Sequence, residues 1–391
     1  MKHTISLLLI LALLLSGCSF VERADQRPGR GSDASQMAVS PQEAGAQPSD
    51  ATEAAPTSAP TTEPTTVPTE PEVFFNPLNG EILDEPYTGR VFASTISNIR
   101  DALPHVGVND ADILMEMFVN GSIDRCLALF TDLSDVEQIG STRSTRLMFS
   151  SIAQHYDAVL CHAGGSDQAL GDVSARGLDN INLDHWSADN TYSIRDETRN
   201  KEIGYEHCLM GLGPGILEYA EKNGIRTTGD PEKDYFLRFT EDGTPEAGEP
   251  AEKISVTLTY GKAMKETVMV YDGTTGKYVF NQYEHAMADG LTGEPEAFRN
   301  VIVMHANISL NGIYHVADFA AGGDGYFACG GKIIPIRWEC DGENAPFRFL
   351  TQDGQVLELG QGNTYIAICT PESPVVYGEA PAVAETAPSA T

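Results

Sequence analysis

The sequence predicts an α+β protein, with a mixed α/β N-terminal region followed by a β-rich C-terminal one. Three observations carry this. Between Phe74 and about Gly224, runs rich in Val, Ile, Leu and Phe are interleaved with runs of helical period. From about Lys253 to Thr370 almost every run reads as strand, punctuated by glycine turns. Finally, 41% of the 391 residues are hydrophobic, which is enough for a core and argues against wholesale disorder. Helices confined to one part of a strand-rich chain suit an α+β layer arrangement, in which a partly parallel sheet is also possible.

In the first region Arg90 to Ser97, Asp112 to Val119, Arg125 to Thr131 and Ala158 to His162 read as strands. Phe149, Ile152, Ala153 and Tyr156 recur at the spacing of one helix face. Ser166 to Ala175, opened by Ser-Asp, and Gly215 to Asn223, opened by Gly-Pro-Gly, are further helices. In the second region the strands are Lys253 to Tyr260, Glu266 to Tyr271, Tyr278 to Tyr283, Asn300 to Ser309 and Lys332 to Trp338. Turns are expected at Asp272-Gly273, Asp324-Gly325, Gly330-Gly331 and Asp353-Gly354. The Gly-, Pro- and charge-rich stretch 227–252 is the join, which sets domains at 74–226 and 253–370.

The ends of the chain have a different character. Lys2 is followed by Ile5 to Leu15, nearly all Leu and Ile, and then by Leu15-Ser16-Gly17-Cys18. That apolar run is too short for a permanent span and has the form of a secretory signal. Its small residues ending in cysteine resemble a bacterial lipobox, which implies acylation of Cys18. Residues 1–18 are therefore a lipoprotein signal peptide. The protein is expected to be exported and lipid-anchored to the outer face of the bacterial cell membrane, with that membrane as one partner. Residues 19–73, rich in Pro, Thr and Glu, form a disordered linker, and 371–391 repeats the composition as a disordered tail.

The formal net charge is −31, from 25 Lys+Arg against 56 Asp+Glu. The signal carries +1 and the linker −6, which leaves −26 from Val73 onward. Such acidity excludes nucleic acid or an anionic membrane surface as the main partner, because phosphate backbones need a basic footprint. Signatures for phosphate-loop, nucleophile-elbow and zinc-protease chemistry are missing. No cofactor is implied. His162, His185, His207, His305 and His315 lack ligand-like spacing, so no metal site is expected either.

What stands out is a small set of cations in an acidic chain. Gly140-Ser141-Thr142-Arg143-Ser144-Thr145-Arg146 lies directly before the helix of Phe149 and Ile152. Ser144 or Thr145 can cap that helix, which would leave backbone N–H groups and two guanidiniums at its positive end. His162-Ala163-Gly164-Gly165-Ser166-Asp167 makes a second strand-to-helix turn, where glycines permit close approach of a ligand. Together Arg143, Ser144, Arg146, His162, Gly164, Gly165 and Ser166 would form a pocket for an anion, with Arg125, Arg195 and His207 as further members.

The leading functional expectation is thus a non-enzymatic surface lipoprotein that binds an anionic envelope ligand or a partner protein. The alternative is an envelope hydrolase or transferase using His162 or His207 as acid/base, with Cys208 a conceivable nucleophile. A third is an adaptor that docks a partner through a sheet edge of the β-rich domain. Cysteines beyond Cys18 divide three and three between the regions, Cys126, Cys161 and Cys208, then Cys329, Cys340 and Cys369. Buried free thiols are the preferred reading, although Cys329 and Cys340 could be bridged.

Several residues together resemble the YerB-like lipoproteins of Gram-positive bacteria. They include Asn76-Pro77-Leu78-Asn79-Gly80, Tyr87-Thr88-Gly89-Arg90, Asp110-Ala111-Asp112-Ile113, Arg125, the 140–146 run and His162-Ala163-Gly164-Gly165-Ser166. Asn300-Val301-Ile302-Val303, Gly325-Tyr326, Lys332 to Trp338, Arg348-Phe349 and Asn363 to Ile368 continue the likeness. The resemblance implies a lipid-anchored protein of two adjoining domains, α+β then β-rich, and it implies no reaction or ligand. Leu160-Cys161-His162 and the tract at Glu206-His207-Cys208 depart from the usual family pattern.

Overall fold

The computed structural model describes residues 73–184 and 191–380. Cys18, the signal, nearly all of the linker, His185 and the last eleven residues lie outside them. The principal elements of the first region are β1 (Phe92–Ser97), β2 (Ile113–Asn120), β3 (Ile123–Phe130), α1 (Leu147–His155), β4 (Val159–His162), α2 (Asp167–Ala175), β5 (Asn180–Asn182), α3 (Glu197–Ile203) and α4 (Gly213–Lys222). Those of the second are β6 (Lys253–Tyr260), β7 (Ala263–Asp272), β8 (Lys277–Gln282), β9 (Asn300–His305), β10 (Ile308–Asn311), β11 (Tyr314–Ala317), β12 (Gly323–Cys329), β13 (Lys332–Glu339), β14 (Thr364–Cys369) and β15 (Val375–Gly378). Among the described residues every α-helix falls before Asn223, so strand dominates the chain and helix is confined to its first region.

Both regions contribute to one sheet, in the order β13-β12-β9-β14-β2-β3-β1-β4-β5. The junction is parallel: Thr364 to Ile368 of β14 lies opposite Ile113 to Met117 of β2. Parallel pairs are normally covered on both faces, and these strands are buried through almost their whole length. Along β2 the two-residue pleat sends Leu114 and Phe118 to one core and Ile113, Met115, Met117 and Val119 to the other. The first core lies against a second sheet in which β8, β7, β6 and β15 are successive neighbours. The second core is covered by α1, through Met148, Phe149 and Ile152, and by the aromatic group Phe319, Trp338 and Phe347.

Besides the split of the expected strand Asn300 to Ser309 into β9 and β10 at Ala306-Asn307, three expectations need correction. Asp324-Gly325 is not a turn but the interior of β12, whose Gly325 pairs with Met304 on one side and Ile336 on the other. A Cβ there would stand 2.0 Å from the Val303 carbonyl oxygen, so the glycine serves close strand approach rather than a bend. The stretch 371–391 is not wholly a disordered tail: Val375, Val376 and Tyr377, two β-branched residues and an aromatic, pair as β15 with Ile254 to Val256. The third concerns the possible Cys329–Cys340 bridge, since both thiols are free and buried, as are Cys126, Cys161, Cys208 and Cys369.

Between the two sheets lies a polar network. Glu116, fully buried on β2, accepts from Asn98 Nδ2 at 3.0 Å, Thr267 Oγ1 at 2.9 Å, Gln282 Nε2 at 3.1 Å and the Tyr365 hydroxyl. Lys265 Nζ sits 3.2 Å from Glu116, bonds Asp124 and donates to the Asn98 carbonyl at 2.9 Å. Burial, with the charge of Glu116 adding to it against the pull of Lys265, holds the Asp124 carboxyl up at about 7.

Lys265→Met leaves two carboxylates without their cation and should cost about 3–5 kcal/mol in equilibrium denaturation. The raised Asp124 pKa means the folded state holds a proton that the unfolded chain releases near 3.8. Its stability contribution is therefore full below that value and lost as pH rises through about 7. Asp124→Asn should flatten this decline in denaturation midpoint across that window.

Candidate functional site

The two glycine- and serine-rich turns singled out in the sequence run side by side. Arg143 N–H donates to the Thr95 carbonyl at 3.0 Å, which ties its segment to β1. Ala163 N–H donates to the Arg143 carbonyl at 3.0 Å, and Thr145 N–H to the Gly164 carbonyl at 2.9 Å. Arg143–Thr145 thus lies along Ala163–Gly165, and the starts of α1 and α2 are brought to the same place. Ser166 caps α2 as expected, its hydroxyl accepting from Ala169 N–H at 3.2 Å. The expected cap on α1 is not made: Arg146 is the N-cap and no side chain bonds the first turn. Thr145 Oγ1 is instead buried without a partner.

Three arginines meet here. Arg125, on β3, is only 4% exposed; it donates to the Ser144 carbonyl and, among the described residues, makes no ion pair with a carboxylate. Burial, followed by the charges of Arg146 and Arg143, pulls its pKa down to about 9. Arg146 donates to the Thr145 carbonyl at 2.7 Å and lies over the Tyr314 ring, 5.4 Å from its centroid, with Nε buried and unpartnered. Arg143 is differently placed, since its guanidinium reaches Glu206 through both the carbonyl and a carboxylate oxygen at 3.2 Å. Among the described residues, therefore, Arg125 and Arg146 have no carboxylate partner, and Arg125 is almost wholly buried.

Other candidates have structural duties. The His162 ring is buried, with Nδ1 2.8 Å from the Gly164 carbonyl oxygen and Nε2 3.1 Å from the Asn180 side-chain amide. Burial holds its pKa below the usual histidine range. Held between these two oxygens, the His162 ring braces the glycine turn. Asn182 adds to this, accepting from Gly164 N–H at 3.0 Å. Arg195 is outside the cluster: it pairs with Asp184 at 2.6 Å and stacks on Tyr205, 3.7 Å from the ring centroid. Cys208 is fully buried and donates to the Tyr205 carbonyl at 3.2 Å, so it presents no nucleophile to solvent. His207 lies near Arg143, its pKa lowered by burial and then by that charge, with Nδ1 unpartnered.

Sequence reasoning missed Tyr314, because it arrives from β11 of the second region and is set against Arg146 only by tertiary folding. It also missed a surface cavity of about 640 Å³ lined by Arg90, Arg176, Arg226 and Lys233. There each arginine is already paired: Arg90 with Asp157 and Asp179, Arg226 with Asp157, and Arg176 with Asp172. That internal neutralisation distinguishes it from the Arg125 site.

The glycine turn can be tested directly. A Cβ on Gly165 would stand 2.9 Å from Thr145 Cγ2 and 3.0 Å from the Leu170 side chain, so Gly165→Ala should cost about 1–3 kcal/mol. Gly164 has open space but a φ of +64°, so Gly164→Ala should cost about 1–2 kcal/mol through backbone conformation alone. Denaturant titration of both variants measures this.

Comparison with known proteins bears on the whole chain. Residues 78–226 match the family model described as the N-terminal domain of a protein of unknown function (DUF3048), and residues 256–366 match the C-terminal domain of the same family. The chain is 27% identical over 305 residues to "Putative lipoprotein YerB" of Bacillus subtilis, covering 75% of this chain and 85% of that protein. The crystal structure of Bacillus subtilis YerB superposes with a TM-score of 0.66 at 22% identity, over 77% of this chain and 99% of the other, which establishes a shared fold. With both of its domains matched in order, the chain belongs to the DUF3048 family of YerB-like proteins.

Proposed function

We propose that this protein is an exported, lipid-anchored surface protein that binds an anion at the Arg125–Arg146 cluster. The tether rests on Cys18 at the end of a lipobox-like signal and on the printed name of the Bacillus relative. The binding reading rests chiefly on one observation: a guanidinium 4% exposed, in a strongly acidic chain, with no carboxylate paired to it among the described residues. A buried charge without a counter-charge is costly, and proteins normally pair it. An external anion would supply the missing partner, with Arg146, the unpartnered Thr145 hydroxyl and the start of α1 lining its approach. Phosphate and carboxylate both suit a planar guanidinium donor.

The test is thermal unfolding with and without millimolar inorganic phosphate. Wild type should gain stability as RT ln(1 + [L]/Kd), about 2.7 kcal/mol at one hundred times Kd. Arg125→Met should lose this gain. In phosphate-free buffer it should also be more stable than wild type by on the order of 1 kcal/mol, because it removes an uncompensated buried charge. A variant less stable than wild type, with its phosphate response intact, would show that Arg125 is structural only.

A further inference from the structure

A surface cavity of about 590 Å³ lies where the parallel strands β9 and β14 end side by side. His305 closes β9 opposite Cys369, the last residue of β14, and from there the chain leaves in two directions. After β9 it enters the β10–β11 hairpin, whose Ile308 and Ala317 pack on the core covered by α1. After β14 it turns through Thr370-Pro371-Glu372 into β15, whose Val375 and Tyr377 pack on the other core, beneath the second sheet. Connections that part to opposite faces of a sheet leave a crevice at the carboxyl ends of its parallel strands, where ligands commonly bind. The turn between β6 and β7 bounds this crevice. Thr259 N–H donates to the Ser373 hydroxyl at 3.0 Å, and the centroid of the Tyr260 ring lies 4.3 Å from that of His315 on β11.

The lining has one chemical character. Asp318 and Glu372 supply carboxylates, Thr259 and Thr370 hydroxyls, Asn307 an amide and Tyr260 a half-buried ring. No lysine, arginine or histidine lines it, and among the described residues neither carboxylate has a hydrogen-bond or ion-pair partner. The hydroxyls are held in place, Thr370 Oγ1 donating to the Thr259 carbonyl at 3.2 Å and lying 3.3 Å from Thr259 Oγ1. No α-helix starts at these strand ends, so no helix dipole offsets the two negative charges, and an anion is repelled.

We propose that the crevice binds a neutral saccharide, whose hydroxyls donate to Asp318 and Glu372 and whose ring lies against Tyr260. Ionised carboxylates only accept hydrogen bonds, and adjacent sugar hydroxyls are paired donors. Tyrosine offers an apolar face beside a polar tip, which suits a ring that is apolar on its C–H face and polar at its rim. A simple amine would answer the carboxylates alone and leave the amide and the ring idle. This reading does not depend on the anion-binding one.

The experiment is saturation-transfer NMR with titration calorimetry on the mature chain carrying Cys18→Ser. The neutral probes are cellotetraose, maltotetraose, mannotetraose and tetra-N-acetylchitotetraose, and the charged ones are tetragalacturonate and cadaverine. At least one neutral tetrasaccharide should bind saturably, with a Kd on the order of 1 mM or tighter. Asp318→Asn combined with Glu372→Gln, both exposed and isosteric, should weaken it about tenfold or more. Glu343→Gln, an exposed carboxylate outside the crevice, should leave it unchanged. Absence of saturable binding by all four neutral probes overturns the proposal. Tetragalacturonate or cadaverine bound as tightly as the best neutral probe also overturns it, the first by showing an anion accepted, the second by showing a plain cation site. Undiminished sugar affinity in the double variant, or an equal loss in Glu343→Gln, overturns the crevice as the place of binding. The probe comparison needs no variant, and Asn307→Trp, at another exposed lining position, repeats the test of place by filling the crevice.

Discussion

Glu116 is the group on which the rest of the arrangement turns. It is fully buried on β2, the strand where the two regions of the chain meet, and it faces the second sheet. Its ligands come from both sides of that meeting: Asn98 from the first region, and Lys265, Thr267, Gln282 and Tyr365 from the second. A carboxylate in this position is tolerated only when its oxygens are saturated with donors, and such donors must arrive in one geometry. The network therefore prescribes how β7 and β8 sit over β2, which hydrophobic contact alone leaves loose. Its position also explains why a sheet can be continuous across two sequence regions of different composition.

A second polar economy operates on the opposite side of the sheet, and it has the reverse character. Around Glu116 the carboxylate oxygens are fully supplied with donors, although Asn98 Oδ1 and Gln282 Oε1 are buried without partners. Around Arg125, among the described residues, the one partner of a nearly buried guanidinium is a carbonyl oxygen, and no carboxylate answers its charge. The surrounding turns are nevertheless tied down: His162 and Asn182 hold Gly164, Ser166 caps α2, and Glu206 fixes Arg143, while Thr145 Oγ1 and Arg146 Nε stay without partners. A hydrogen-bonded surround with an unanswered charge at its centre is the local imbalance on which the proposed anion binding rests. The contrast with the cavity at Arg90 and Arg226, where every arginine has its aspartate, shows that the imbalance is local.

The elements of the fold were legible in the sequence to within a few residues. β6 is bounded as expected and β2, β4 and α2 nearly so, while α1 buries Phe149, Ile152 and Ala153 of the face expected for it. α3 was not legible, since Glu-Thr-Arg-Asn-Lys-Glu-Ile has no apolar face and none of its residues is buried. β12 was hidden by Asp324-Gly325, a dipeptide whose usual meaning is a turn. Within the site, the sequence identified both turns and their arginines, because Gly, Ser and Arg before a helical run have a local physical meaning. It could not rank them. Nothing local separates Arg125 and Arg146 from Arg143 and Arg195, whose carboxylates lie 63 and 11 residues away along the chain.

By itself, then, the sequence determined the signal with its cysteine, the acidic field, the alternation of strand and helix, and the candidate turns. All of these depend on composition or on period, which are properties of neighbours in the chain. Only the tertiary structure decided that β14 joins β2, that His162 braces the glycine turn, and that Arg125 is buried without a counter-charge among the described residues. Each of those depends on which distant groups share a volume from which water is excluded. A charge is made exceptional by its surroundings, and the surroundings of Arg125 are assembled from segments between Arg125 and Tyr314.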